Sequence, residues 1–199
     1  VRALELPKEE ADPRVNPPQP YGRGGPDEYG YVWIDSDEPG GPRFEWLDIR
    51  ASGVRLPITG DDQSADVDLP FPFPFYGELK SRVRVSSNGY LTFGTFGTDW
   101  SNDPIPSTAQ PNDLIAVFWD DLTLSQGNVY AWGSPEDGIF IVQYDGARRL
   151  GTLQRYDFQV ILRADGSIVM QYLLMEPGRL DEATIGIEDA SGQTGLQVA

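Results

Sequence analysis

Apolar and polar residues alternate most clearly on either side of Asn88 and Gly89. Valines and arginines alternate over residues 82–86, and the alternation resumes over residues 90–93. Successive side chains of a strand point to opposite faces, so this period of two predicts two antiparallel strands with one buried and one solvated face. Asn-Gly is typical of a two-residue type I′ turn, in which both central residues have positive φ. We therefore predict a hairpin with Asn88 and Gly89 at its tip.

A run of alternating proline and phenylalanine, Pro70–Phe75, precedes this hairpin. Proline has no backbone N–H to donate, which confines it to the edges of sheets. We predict an extended edge segment beside the hairpin, with Phe71, Phe73 and Phe75 inserted next to it.

Short runs rich in β-branched and aromatic residues recur along the rest of the chain, separated by Gly, Pro, Asn and Asp. No stretch has the spacing of a convincing amphipathic helix, and no apolar run approaches the ~20 residues of a membrane span. Short strands with turn signals between them indicate a sandwich or a jelly roll. The sequence predicts an all-β fold, an antiparallel β-sandwich of jelly-roll-like type. Its other strands are predicted at residues 31–34, 44–47, 54–58, 114–119, 128–132, 138–144, 153–162, 167–173, 183–188 and 195–198.

The first 29 residues have a different composition, because prolines and charges dominate and periodic apolar residues are missing. Such a segment buries too little apolar surface to fold alone. We predict an extended proline-rich N-terminal arm over residues 1–29 and a single β-sandwich domain over residues 30–199.

Several motifs in residues 69–198 resemble the nidogen-type extracellular domain and its bacterial relatives on secreted proteases and cell-surface proteins. The resemblance is carried, in order, by Phe73–Gly77, Val85–Gly94, Pro111–Leu122, Tyr156–Leu162, Asp165–Ile168 and Ala183–Glu188. It implies a non-catalytic β-sandwich that is secreted or displayed at the cell surface. Nidogen relatives commonly carry cysteines and this chain has none. The shared motifs are folding motifs, so no functional residue is carried over.

Charge and composition exclude several function classes. The net charge of −16 opposes binding to nucleic acids or anionic membranes, because phosphates would be repelled. The absence of cysteine and histidine excludes disulfides, thiolate metal sites, cysteine nucleophiles and histidine bases. We expect no enzymatic activity, no nucleic-acid partner and no insertion into a membrane.

Acidic loops are the candidate metal sites. Asp35 and Asp37 alternate along one loop, and Asp61 and Asp62 begin a second acidic stretch that continues to Asp68. Calcium prefers several oxygen ligands from carboxylates. Calcium is therefore the candidate ion at Asp35 and Asp37 or at Asp61 and Asp62, against the alternative of solvated acidic loops.

Two further features bear on chemistry. The adjacent Asp120 and Asp121 follow a buried run and are interpreted as a strand-end turn rather than a catalytic pair, because neighbouring strand residues face opposite ways. Of the five tryptophans, Trp119 is predicted to lie in the core, and Trp100 is the one platform suited to stacking on a glycan.

The leading functional hypothesis is a secreted or surface structural module that assembles with copies of itself. An unpaired sheet edge accepts an added strand, and Val1–Leu6 is the part of the arm with the best strand pattern. Its assembly residues are Val1, Leu4 and Leu6, with both leucines on one face. Such exchange would build a homo-oligomer or a filament. The alternatives are an accessory domain of a secreted protease, a glycan-binding adhesin, and an arm that folds back on its own domain.

Overall fold

The structure, a computed structural model, describes residues 22–199, so the predicted assembly residues Val1, Leu4 and Leu6 lie outside it. No described residue is helical, and none of the described segments could cross a membrane as a helix. The strands are β1 (Arg23–Gly24), β2 (Trp33–Ile34), β3 (Val54–Arg55), β4 (Ser64–Phe75), β5 (Glu78–Ser86), β6 (Tyr90–Thr92), β7 (Leu114–Trp119), β8 (Leu122–Thr123), β9 (Asn128–Ser134), β10 (Ile139–Arg149), β11 (Tyr156–Arg163), β12 (Ile168–Met175), β13 (Thr184–Glu188) and β14 (Gly195–Gln197).

Two antiparallel sheets enclose the core. The first, here called the hairpin sheet, has the strand order β14-β13-β7-β6-β5-β4. The second, here called the glutamine sheet, has the order β12-β11-β10-β9-β3, with β8 also paired to β10. Between them lie buried side chains of both sheets, among them Phe75, Val85, Val117, Tyr144 and Phe158. The predicted all-β sandwich is confirmed.

The predicted hairpin is present, with Val85 opposite Leu91. Val83 and Val85 are fully buried, as their alternation with arginine indicates. The prediction of a type I′ turn was wrong. Three residues, 87–89, connect β5 to β6, and of these only Gly89 has a positive φ, 77°. A three-residue connection needs one left-handed residue near its end rather than two, and glycine provides it.

The outer face of β6 is buried, contrary to the prediction of a solvated face. Tyr90 and Thr92 have no exposed surface. Tyr90 packs on Trp119 with ring centroids 5.3 Å apart, and Ile105 from the loop between β6 and β7 joins the same cluster. The 21-residue loop of residues 93–113 therefore covers this face, which local alternation cannot reveal. Trp119 is in the core, as predicted.

The Pro-Phe run lies in β4, at the edge of the hairpin sheet. Phe73 and Phe75 are fully buried, whereas Phe71 is half-buried. The pairing of β4 with β5 shifts register between Asp68 and Phe73. The edge position is confirmed, and the prolines coincide with the interruption in the ladder.

Residues 44–47 do not form the predicted strand. Gln143, Gln159 and Gln171 lie opposite one another on β10, β11 and β12. Their side-chain amides bind the extended backbone that crosses the sheet: Gln171 binds both N and O of Glu45, Gln159 donates to Leu47 O, and Gln143 accepts from Ile49 N. The backbone groups of this segment therefore form their hydrogen bonds with side chains and not with a neighbouring strand. This is why residues 44–47 have an apolar pattern typical of a strand but pair with no strand.

The described end of the predicted arm packs on the sandwich. The carboxylate of Asp27 accepts the backbone N–H groups of residues 29–31 and the hydroxyl of Tyr76. Tyr29 packs against Tyr31 and Tyr76, with centroids 5.5 and 5.4 Å apart. Residues 22–29 are thus attached to the domain, and the boundary at residue 29 stays a prediction.

Candidate functional site

Asn88, at the tip of the hairpin, is fully buried and connects three loops. Its Nδ2 donates to Asp62 Oδ1 at 3.1 Å and to the Asp99 carbonyl at 3.0 Å, and its Oδ1 accepts from Leu122 N at 3.0 Å. A buried amide with its groups satisfied fixes its neighbours, because each lost bond would leave a buried polar group unpaired. The turn therefore orients Asp62 and the chain that leaves β7.

Three carboxylates meet beside this turn. Asp61, Asp62 and Asp121 each place a carboxylate oxygen within 4.8 Å of the others. Asp62 has a positive φ of 48°, a conformation that Asp tolerates better than most residues, and Asp61 bridges to Thr123. Oxygen ligands at this separation suit calcium, which binds carboxylates at about 2.3–2.6 Å. The calcium prediction at Asp61 and Asp62 thus acquires a third residue, Asp121, and stays a prediction.

Asp121 was not assigned to this cluster by sequence reasoning. The sequence shows Asp120 and Asp121 as adjacent residues after a buried run, but the side chains that each one approaches are distant in the chain. Asp121 turns toward Asp61 and Asp62, whereas Asp120 lies 3.3 Å from the guanidinium of Arg149. The pair divides between two environments, as the interpretation against a catalytic pair requires.

Asp120 belongs to a buried ionic cluster. Arg149 lies 3.3 Å from Asp120 and 3.2 Å from Glu182, and both Asp120 and Arg149 are about 3 % exposed. Burial raises the pKa of Asp120 to about 6, although Arg149 opposes that shift. Removing one partner of such a cluster would leave an uncompensated buried charge. These residues join β10 to the loops around β7 and β13.

The other predicted acidic residues do not come together. Asp35 uses its carboxylate within its own loop, where it accepts N–H groups from Gly22, Asp37 and Glu38, and these bonds lower its pKa. Asp66 and Asp68 lie in β4, not in a loop, and pair with Arg84 and Arg82. Calcium at Asp35 and Asp37 stays a prediction, but the loop geometry is already explained by backbone donors.

Trp100 is half-buried rather than an open platform. Phe44 is a more exposed aromatic side chain, 55 % exposed, and it stacks on Trp46 with ring centroids 6.4 Å apart. Glycan stacking therefore gains no support at Trp100.

An apolar groove of about 600 Å³ runs between the two sheets on their open side. It is lined by residues 168–172 of β12, by Ile185 and Ile187 of β13, by Leu196, and by residues 31–36, which form its outer wall. We call it the β12 groove. The strand pattern gave no sign of it, because it depends on how far the two sheets separate at one edge.

A protein-family model described as "NIDO related" matches residues 42–199, well over half of the chain. The chain belongs to the NIDO-related family. Nidogen of Drosophila melanogaster is 28 % identical over 82 residues, which are 41 % of this chain and 6 % of nidogen. The chain thus spans only a small part of that relative. No solved structure matches the chain significantly.

The predicted resemblance is confirmed, and the NIDO-related region is longer than residues 69–198. It begins at residue 42 and so includes the segment held by the three glutamines, the acidic cluster and the strands of the β12 groove. Residues 31–36, the outer wall of that groove, precede the matched region.

Proposed function

We propose that this NIDO-related domain is an extracellular structural or adhesion module without catalytic activity. Its relationship to nidogen supports an extracellular structural role. Two observations support the absence of catalysis. The chain contains no histidine or cysteine, and the two carboxylates whose pKa is raised furthest have structural partners: Glu188 accepts from Ser107 N, and Asp120 faces Arg149.

We further propose that the domain assembles with copies of itself through its N-terminal arm. The observation that carries this is the open side of the sandwich, where β12 is an edge strand beside an apolar groove. Free strand edges pair readily with other chains unless they are blocked. The arm is attached next to this groove, because Gly22 N donates to Asp35, one of the lining residues.

Removing residues 1–20 tests this function. The intact chain should form oligomers or filaments, visible by light scattering and electron microscopy. The shortened chain should remain folded, judged by circular dichroism, and be monomeric. Equal assembly of the two chains, or a monomeric intact chain at all accessible concentrations, would exclude assembly through the arm.

A further inference from the structure

We propose that the β12 groove is the acceptor for the arm, and that Val1–Leu6 of a second copy adds there as a strand along the free edge of β12. This inference rests on the proposed self-assembly and identifies its contact surface.

The lining of the groove shows that it follows the edge of a strand. Five consecutive residues of β12, 168–172, line it. Successive strand side chains point to opposite faces, so consecutive residues share a cavity only where it runs along the strand's edge. Within residues 22–199, β12 pairs with β11 alone. Its outer N–H and C=O groups therefore form a template inside the groove.

The groove fits a short apolar strand. Its volume of about 600 Å³ is in the range that buries sizeable ligands. A six-residue strand is about 20 Å long, which the eight residues of β12 can accommodate. Leu4 and Leu6 would share the face that meets Ile185 and Ile187, while Ala3 and Glu5 would face the outer wall.

Apolar side chains around the mouth of the groove favour a protein partner. Val32, Ile34 and Phe44 all line it and are 68, 41 and 55 % exposed. Exposed apolar clusters of this kind mark interaction surfaces in soluble proteins. An incoming segment would cover them.

The chain between the segment and the domain favours a second copy over the same molecule. Residue 22 is held at the groove by Asp35, so a segment returning to its own groove would have to reverse direction within residues 7–21. That stretch contains Pro7, Pro13, Pro17, Pro18 and Pro20. Proline-rich chains are stiff and extend about 3.1 Å per residue, so residues 7–21 reach up to about 46 Å. This reach slightly exceeds the ~40 Å diameter of a domain of this size, so an extended arm is long enough to cross to the groove of an adjacent copy.

Cysteine pairing in the full-length chain tests the contact, because the protein has no native cysteine. One population carries Leu4→Cys and the other carries Met170→Cys or Ile168→Cys on β12. Matched controls carry Val54→Cys on β3 or Leu79→Cys on β5, which are 71 and 72 % exposed and thus more accessible than the groove. Mixed pairs are oxidised mildly and analysed for disulfide-linked heterodimers.

Docking should raise the local thiol concentration into the millimolar range, so at about 10 µM protein the groove pair should link on the order of 100-fold faster than either control pair. Preferred linkage to Val54→Cys or Leu79→Cys would place the arm on another edge and overturn the groove. Linkage only within a chain carrying both Leu4→Cys and Met170→Cys would show folding back and overturn exchange. An assembled chain with no groove linkage refutes the groove alone, whereas an unassembled intact chain refutes the proposed function.

Discussion

The Asn88 turn and the β12 groove show two ways in which the same sandwich treats a sheet boundary. At the turn, every adjacent loop is tied to a buried amide, and a side chain on Gly89 would have no space. At the groove, an edge strand borders a cavity and apolar side chains reach solvent. The first region is held together within one chain, whereas the second exposes the apolar side chains that we propose a second copy covers. Substitutions should therefore change stability at the turn and association at the groove.

The largest effect is expected at Gly89. A Cβ there would lie 1.9 Å from the Phe118 carbonyl oxygen, whereas a Cβ at Gly40, also at positive φ, would meet nothing within 4 Å. Gly40→Ala thus isolates the conformational cost, about 1 kcal/mol, and Gly89→Ala adds the clash. Gly89→Ala should destabilise by roughly 2–4 kcal/mol more than Gly40→Ala in chemical denaturation. Similar losses for the two variants would show that the turn is not closely packed.

The second effect is a dependence of stability on pH. Burial raises the pKa of Glu188 from 4.5 to about 8, with Asp189 and Asp103 adding to the shift and the N–H of Ser107 opposing it. Between these two values the folded state holds a proton that the unfolded state has released. The free energy of unfolding should therefore fall as pH rises from 4.5 to 8.

Glu188→Gln should remove the part of this decline between pH 6 and 8, roughly 2 kcal/mol at most. Asp120, whose pKa is raised to about 6, adds a smaller decline at the lower end of this window, and the chain has no histidine to titrate in it. Denaturation curves at pH 6 and 8 measure the difference. A wild-type decline that persists in Glu188→Gln would assign it to another group.

Calcium should raise the melting temperature through the acidic cluster. If an ion binds among Asp61, Asp62 and Asp121, free calcium at 100 times the Kd adds about 2.7 kcal/mol by mass action. Asp121→Asn should abolish the difference between melts in calcium and in chelator. The control Asp66→Asn, which alters a carboxylate paired with Arg84, should retain it. Identical wild-type melts in the two buffers would exclude the ion.

Much of the fold could be predicted from local pattern. The strand Leu114–Trp119 has the predicted bounds. The hairpin follows from period-two alternation, and the strands after residue 128 follow from short apolar runs between turn residues. The errors arise where distant parts of the chain decide the structure. Tyr90 is covered by a loop that begins after β6, and residues 44–47 are bound by glutamine side chains about 100 residues away.

The candidate sites were predicted less completely for the same reason. Asp61 and Asp62 were identifiable as neighbouring carboxylates, but Asp121 joins them only through the sheet, 59 positions later. The β12 groove has no local signature at all. It arises from the separation of two sheet edges and from the path of residues 31–36 across them.

Substitutions at the mouth of the β12 groove should have the smallest effect on stability. They should nevertheless change association selectively. Val32→Lys and Val54→Lys alter valines of nearly equal exposure, 68 and 71 %, and both should change the free energy of unfolding by less than about 0.5 kcal/mol. Only Val32→Lys should weaken assembly, since Val32 lines the groove and Val54 lies on β3. Sedimentation of both variants at several concentrations measures this. Equal association would remove the groove from the interface.

Backbone hydrogen exchange along β12 tests most directly whether the sandwich is completed by a second chain. The intact protein is compared at concentrations above and below its assembly threshold, with the edge strand β4 as internal reference. We expect the outward amides of Ile168–Met175 to become protected on assembly, because an added strand accepts their hydrogen bonds, while β4 is unchanged. Protection of β12 that is the same in the monomer and the assembly, or that appears on β4 instead, would contradict the account.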